Sequence, residues 1–455
     1  MNYNYVHLIG IGGSSMSGIA MYLFESGIKV SGSDAAHNHN VEKLEKAGIK
    51  ITIGHNYENI TNQDLVIYSK AVSDDNPELV AAKEKNITLM ERADFIGDMT
   101  KSFNKAIGVS GTHGKSTTSS MIALCLLEAN MDPTIQLGAV LKATGSNYRT
   151  GKSDYFVLEA CEFKDQFLSF FPNAEVILNI DADHLDYFKT FDNIKASFKK
   201  YVEKLNPKDV LVTNNDDISC QELFNYNKGT NISFGIENES DYQATDITFD
   251  ENGCASFKIK EHLVKLNVKG MHNVYNALAC FAICDYYKIP VESILKGLEK
   301  YTGVERRFEL LATIKDNIKV YDDYAHHPTE IATTLDSVRK TSHHESWAVF
   351  QPHTYSRTKD HLNEFANILK NFDHIIIAKI YAAREQNIYN VKEEDLVNLI
   401  KKENNNVIYI DEFDNIVDYL DKNIQKDDIV ISIGAGPIND VCLKLINKNE
   451  EATSN

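Results

Sequence analysis

The chain has 455 residues, which at about 150 residues per domain corresponds to about three domains. It is 43% hydrophobic, 25% charged and 10% aromatic, with 8 Pro and 23 Gly, which excludes disordered, collagen-like and low-complexity classes. The net charge of −18 repels nucleic acid and anionic lipid, so neither a nucleic acid nor a membrane is expected as a partner. Any phosphate-bearing substrate must be neutralised locally, by Gly-rich loops, Lys, Arg and metal.

Short β-rich runs alternate with helical patterns from end to end, the signature of an α/β fold with mostly parallel sheets. The first module reads as strand 5–11, helix 14–25, strand 29–31, helix 41–47 and strand 65–68. After a polar stretch at 99–104 the pattern restarts with strand 106–110 and an amphipathic helix over 115–129. Strands 155–159, 176–180 and 209–213 follow. Alternation over 246–268 around Asn252-Gly253 predicts a hairpin, and two helices are expected over 274–287 and 291–301. A third restart places strands at 318–321, 347–350, 374–378, 407–410 and 428–433, with a polar end at 447–455 expected to fray. The expected architecture is three α/β modules, 1–103, 104–312 and 313–455.

The seven Cys, at 125, 161, 220, 254, 280, 284 and 442, form no C-x-x-C pair, and most sit in apolar stretches such as MIALCLLEA and ALACFAICDYY. Core thiols in a reducing compartment are expected, rather than a disulfide framework or a metal site. There is no basic-then-apolar leader, and no apolar run approaches the ~18 residues that span a bilayer. A soluble cytoplasmic protein is expected.

Six motifs carry chemistry. Gly10-Ile11-Gly12-Gly13-Ser14-Ser15-Met16 follows a strand and opens a helix, where glycines admit a diphosphate to the helix N-terminus. Ser33-Asp34 ends the next strand, where an acid can meet a ribose hydroxyl. A tight turn needs such glycines without any ligand, and Ser15 occupies the last glycine of G-x-G-x-x-G, which disfavours a nicotinamide site. Gly111-Thr112-His113-Gly114-Lys115-Ser116-Thr117 is a variant phosphate loop, with Val109 where the strict pattern has Gly. Its N–H groups can wrap a phosphate, Lys115 can reach the β/γ oxygens and Ser116 can ligate Mg²⁺. Glu159 and Glu162 close one strand, and Asp181, Asp183, His184 and Asp186 close the next. Hard oxygens at strand ends suit Mg²⁺, although such acids also cap helices. Asn273 and Asn276 share one helical face and suit either an adenine edge or a helix cap. Arg306-Arg307 suits either a phosphate clamp or an inter-domain salt bridge. Finally, three successive strand ends carry His326-His327-Pro328, His353-Thr354-Tyr355-Ser356-Arg357 and Tyr381 to Arg384, a recurrence that packing alone does not explain.

Taken in order, HLIGIGGSSMSGIA, GTHGKS, EACE, NIDADHLD, GMHNVYNALA, GVERRFE, DDYAHHPTE and FQPHTYSRT resemble the Mur ligases of peptidoglycan synthesis over essentially the whole chain. The resemblance implies a Rossmann-like N-terminal domain for a UDP-sugar, a central P-loop-type ATPase domain and a Rossmann-like C-terminal domain for the amino acid. It implies ATP-dependent joining of L-alanine to the carboxylate of UDP-N-acetylmuramate through an acyl phosphate, with Mg²⁺, by a monomer or weak homodimer. By motif, Lys115 contacts ATP phosphate, Ser116, Glu159 and His184 serve the metal, Asn273 and Asn276 face adenine, and Arg307 contacts phosphate. His326, His353 and Arg357 line the alanine site, with His326 as candidate base. Cys161 stands where the family more often has Asp. The alternatives are a relative that attaches a ready-made tripeptide to the same sugar, and a nucleotide-binding regulator without ligase activity.

Overall fold

Strands such as YVHLI, VLVTN and IVISI are apolar almost throughout rather than alternating, and they are buried nearly end to end, as parallel strands covered by helices on both faces must be. The computed structural model describes residues 3–454 apart from Asn252 and Arg384. The first residue of the hairpin signal and the last of the Tyr381–Arg384 motif therefore lie outside the described residues.

Those residues form three sheets. The first holds β1 (Tyr5–Ile9), β2 (Lys29–Asp34), β3 (Lys50–Ile53), β4 (Leu65–Tyr68) and β5 (Thr88–Glu91), all parallel, in the order β3-β2-β1-β4-β5. The order reverses at β1, so the loop Gly10–Gly13 leaves the sheet at its switch point, where open α/β sheets bind ligands.

The second sheet holds β6 (Lys105–Ser110), β7 (Thr134–Leu141), β8 (Ser146–Arg149), β9 (Tyr155–Glu159), β10 (Ala174–Ile177), β11 (Val210–Asn214) and β12 (Thr230–Gly235). It continues through β13 (Tyr242–Phe249), β14 (Cys254–Ile259) and β15 (His262–Lys269), and its order is β15-β14-β13-β12-β11-β10-β6-β9-β7-β8. β6 runs parallel to β10 on one side and β9 on the other. This sets the loop after β6 between two strand ends.

The third sheet holds β16 (Glu309–Ile314), β17 (Ile318–Asp323), β18 (Ser346–Phe350), β19 (His374–Ile377), β20 (Val407–Tyr409) and β21 (Ile429–Ile433), in the order β16-β17-β21-β18-β19-β20. Only β16 is antiparallel. No helix among the described residues is long and apolar enough to cross a membrane.

The chain divides into two compact units, one of Met1–Thr245, Phe257–Val264 and Val274–Tyr301, the other of Asp246–Ser256, Lys265–Asn273 and Thr302–Asn455. In the first, one apolar cluster runs from Val6, Leu8 and Phe95 to Phe156, Phe167, Phe198 and Tyr201. It joins the β1–β5 sheet to the next without a break. The helix Arg92–Lys101 makes this junction and runs into the expected polar stretch, because Met99 and Thr100 are buried.

A Cβ on Gly97 of that helix would lie 2.0 Å from the Ser169 carbonyl oxygen. Ala is favoured over Gly in a helix by about 1 kcal/mol, so a net loss isolates the clash. Gly97→Ala is expected to lose about 2 kcal/mol in urea unfolding; an unchanged midpoint would contradict this packing.

Candidate active site

The loop after β6 is shaped by two glycines. Gly111 has φ 127° and Gly114 φ 85°, left-handed conformations that other residues rarely adopt. A Cβ on Gly111 would lie 3.1 Å from the backbone of Leu178 and Asn179, and one on Gly114 would lie 2.5 Å from Asn276 Oδ1. The loop is fastened to the end of β10. The Thr112 N–H donates to the Asn179 carbonyl (3.1 Å) and the His113 N–H to Asn179 Oδ1 (2.8 Å), while the Asp181 N–H donates to Thr112 Oγ1 (2.9 Å). His113 Nε2 lies 3.2 Å from Asp181 Oδ2. The helix Lys115–Glu128 then begins with no side-chain cap and no acid in its first turn, so its first N–H groups and positive dipole end remain available to an anion. Thr117 lies half-buried in that turn.

Lys115 Nζ donates to the carbonyls of Gly111 (2.5 Å) and Thr112 (2.9 Å) and lies 3.0 Å from Glu162 Oε2. Burial disfavours the ammonium, but the Glu162 carboxylate, helped by Glu159, outweighs it and holds Lys115 above its ordinary value. Burial also raises the Glu162 carboxyl, and there Lys115 offsets only part of the effect. The contact thus favours the ammonium strongly and leaves the carboxylate the costlier partner. Cys161 is a neutral thiol, pushed up to about 12 by burial and then by Glu162.

Ser116 Oγ donates to Glu159 Oε2 (2.6 Å), which also accepts from the Gly138 N–H (3.1 Å). Two hard oxygens set side by side fit a divalent cation such as Mg²⁺. His184, at φ 54°, follows β10; its ring lies 4.5 Å from that of Phe163, and its Nε2 3.7 Å from Asp183 Oδ2. On the helix Met271–Tyr286, Asn276 Oδ1 accepts from Thr118 Oγ1 (3.1 Å), which ties it to the loop helix, while Asn273 Nδ2 donates to the Lys269 carbonyl (2.7 Å).

The Gly10 loop is built differently. The helix Ser14–Glu25 again lacks a side-chain cap and a first-turn acid, but the loop carries no lysine of its own. Asp34, expected at a ribose, accepts from the loop's own Gly12 N–H at 2.8 Å. Ser33 turns inward, because its buried hydroxyl donates to Glu78 (2.6 Å), which also contacts His55 (3.0 Å) and Asn59 (2.5 Å). Burial disfavours that carboxylate, yet hydrogen bonds from His7, Ser33 and Asn59 outweigh it and lower its pKa. The Met16 side chain belongs to the apolar core, which leaves only its main chain to face a ligand. Ser14 Oγ accepts from Asn147 Nδ2 (2.8 Å), and Ser15 Oγ from Gln136 Nε2 (2.7 Å) and Arg92 (2.9 Å). The loss of glycine at 15 thus places a hydroxyl that holds β7 and the Arg92 helix.

In the second unit the two arginines separate in role. Arg306 pairs with the buried Asp322 (2.9 Å) and donates to the Gly434 and Gly436 carbonyls, a structural set, while Arg307 lies 3.3 Å from Glu330. His327 caps the helix Pro328–Arg339. His326 points elsewhere: its Nδ1 donates to the Tyr324 carbonyl at 2.9 Å, which makes Nε2 the basic nitrogen of the neutral ring. The His326 and His353 rings are 5.8 Å apart, and Arg357 lies 3.1 Å from His353 Nδ1. These three residues, separated by up to 31 positions, form one run of contacts at the ends of β17 and β18.

Family models cover nearly the whole chain: the Mur ligase family, catalytic domain over 5–104, the Mur ligase middle domain over 109–284, and the Mur ligase, glutamate ligase domain over 306–436. The chain is 44% identical over 452 residues to a UDP-N-acetylmuramate–L-alanine ligase of Caldanaerobacter subterraneus subsp. tengcongensis, with 98% of both chains covered. It is 45% identical over 442 residues to that of Acetivibrio thermocellus, covering 96% of this chain and 94% of the relative. The chain belongs to the Mur ligase family. The crystal structure of a UDP-N-acetylmuramate–alanine ligase from Thermotoga maritima matches it with TM-score 0.84 at 27% identity, covering 98% and 99% of the two chains. A murein peptide ligase from Psychrobacter arcticus shares the fold, with TM-score 0.71 at 23% identity over 97% and 98% of the chains.

Several residues of this Mur ligase escape a reading by motif. Glu162 stands inside EACE, yet its part as the anion for Lys115 follows only from the rule that a buried ammonium needs a partner. Glu78, Gln136 and Asn147 carry no local signal at all.

Asp323, at the end of β17, is raised from 3.8 to about 6, first by burial, against hydrogen bonds from Thr334 and the Ala325 N–H. The folded state therefore holds this proton more tightly than the unfolded chain. Its stabilisation is complete below 3.8 and is lost as pH rises through 6. Between about pH 4 and about pH 7, Asp323→Asn is expected to gain on the unsubstituted protein by up to about 3 kcal/mol in denaturant unfolding. A difference that stays constant with pH would contradict the raised value.

Proposed function

We propose that this Mur ligase joins L-alanine to the carboxylate of UDP-N-acetylmuramate at the expense of ATP, in peptidoglycan precursor synthesis. The observation that carries the reading is the buried Lys115 ammonium, held by loop carbonyls and Glu162 at an uncapped helix N-terminus, in a chain 44–45% identical to alanine-adding ligases over nearly its full length. Relatives so similar do not favour the tripeptide-adding alternative. A regulator without ligase activity would leave the paired oxygens of Ser116 and Glu159 without a use.

The domains that follow from this reading are 1–103 for the UDP-sugar, 104–312 for ATP and 313–455 for the amino acid. A carboxylate is a poor electrophile, so ATP must first activate it. The muramoyl carboxylate attacks the γ-phosphorus, ADP leaves and an acyl phosphate forms. The neutral amine of L-alanine then attacks the acyl carbon, and the tetrahedral intermediate expels phosphate. The first step brings an anion to a polyanion, so charge neutralisation is the largest contribution to catalysis. The N–H groups of Gly111–Thr117 and the Lys115 ammonium bind the triphosphate, Arg307 adds a second cation, and Asn273 and Asn276 face adenine. Ser116, Glu159 and His184 would hold Mg²⁺, which when bound offsets further phosphate charge.

The backbone of Gly10–Met16 receives the diphosphate, with Asp34 holding the loop in shape. His353 and Arg357 orient the alanine carboxylate, and His326 takes the ammonium proton at Nε2. We assign the enzyme to the cytoplasm, as a monomer or weak homodimer.

The test is ADP release with ATP, magnesium, UDP-N-acetylmuramate and L-alanine, omitting each in turn. Release that needs all four, and that L-alanine supports in place of a tripeptide, is expected. Lys115→Ala should lower it by about 10²–10³-fold or more while leaving UDP-sugar binding largely intact. Near-normal turnover in that variant would overturn the role given to Lys115.

A further inference from the structure

Three cysteines that the ligase chemistry does not use lie together in the first unit. Cys125 is in the second half of the helix Lys115–Glu128, and Cys280 and Cys284 are one turn apart on the helix Met271–Tyr286, so both present sulfur on one face. All three are free thiols and fully buried. Their Sγ atoms lie within 4.8 Å of one another, with Cys125 and Cys280 at 3.7 Å. A third helix, Val291–Lys300, closes the group. Cys125 Sγ donates to the Ile294 carbonyl at 3.4 Å, and a Cβ on Gly297 would lie 2.7 Å from that sulfur. Glycine there is what lets the helices meet over the sulfur.

Sulfurs bound at about 2.3 Å to one centre lie about 3.5–4.0 Å apart, depending on the bond angle, so the Cys125–Cys280 pair already has that spacing and the Cys284 sulfur, within 4.8 Å of both, lies a short shift from it. Charge decides what the site can hold. Three thiolates around Zn²⁺ or Cu⁺ leave a net negative charge, and a buried charge without a partner costs several kcal/mol. The charged groups facing the cluster are themselves acidic: Glu128 beside Cys125 and Asp285 beside Cys284. The nearby Lys296 and Lys300 ammoniums are paired with Glu128. A trivalent centre bearing three thiolates is neutral and carries no such penalty.

We propose that Cys125, Cys280 and Cys284 form a binding site for a trivalent thiophilic centre of the arsenous acid type. Each thiol gives its proton to one hydroxyl of As(OH)₃. Three As–S bonds form, three As–O bonds break and three waters leave, with nothing oxidised or reduced. The bound centre bridges the helix that starts at Lys115 and Ser116 to the helix that carries Asn276.

The experiment exposes the reduced full chain to arsenous acid, desalts it, and records intact mass and thermal unfolding. The expected adduct is one arsenic less three hydrogens per chain, with a raised Tm. Cys280→Ser and Cys284→Ser should each lose both signals, whereas Cys442→Ser, in the other unit, keeps them. Using two separate serine variants guards against one that fails to fold. The proposal is overturned by neither adduct nor Tm shift in the unsubstituted chain, by an adduct that survives Cys284→Ser, or by retention of Zn²⁺ with no arsenic.

Discussion

A lysine ammonium buried at the start of a helix is the feature around which the central module is arranged. Lys115 opposes the dipole of its own helix, and burial alone would strip its charge. Two loop carbonyls and the Glu162 carboxylate prevent this. To present those carbonyls the chain must pass through left-handed conformations at Gly111 and Gly114. To keep that path the loop must be fastened at Asn179 and Asp181. The strand order β10-β6-β9 then follows as a requirement, since one neighbour supplies the fastening and the other supplies Glu159 and Glu162.

The Gly10 loop meets the same problem without a lysine in its own sequence, and the nearby Arg92 guanidinium is engaged with Ser15 and Gln166. In a chain of net charge −18, a diphosphate at this loop, as proposed, would rely chiefly on backbone N–H groups and the helix dipole. The buried polar network below, running from Gly12 to Asp34 and from Ser33 to Glu78 and His55, holds those N–H groups in place. Its members are hydrogen-bonded on several sides, the condition under which a buried carboxylate stiffens a fold instead of weakening it. The two loops are thus built differently: one carries a buried ammonium within its own turn, the other a backbone held in shape by side chains packed around it.

What could be read without coordinates follows physical lines. Central parallel strands such as β11 and β21 are legible because both faces are buried and the run is apolar almost throughout. The edge strands β3 (KITI) and β16 (ELLATI) are half-exposed; the first alternates over only four residues and the second shows neither a continuous apolar run nor a clean alternation. The helix Pro77–Glu84 buries Glu78 among its core positions, so no apolar stripe marks it. At the site, the phosphate loop is legible because its glycines, lysine and serine are contiguous. The inward turn of Ser33 is not, since Glu78 lies 45 residues away and only the fold brings them together. Arg306 and Arg307 look alike in the sequence, and their division depends on partners far away in the chain: Asp322 and the Gly434 and Gly436 carbonyls hold the first, and Glu330 pairs with the second.

The central claim is that the loop at 111–117 delivers a γ-phosphoryl group directly to the sugar carboxylate. It is tested most directly by labelling both oxygens of that carboxylate with ¹⁸O and analysing the phosphate released during turnover with L-alanine. Transfer through an acyl phosphate predicts one ¹⁸O atom in each phosphate and one left in the amide carbonyl. Phosphate free of label, with amide formed all the same, would contradict the account.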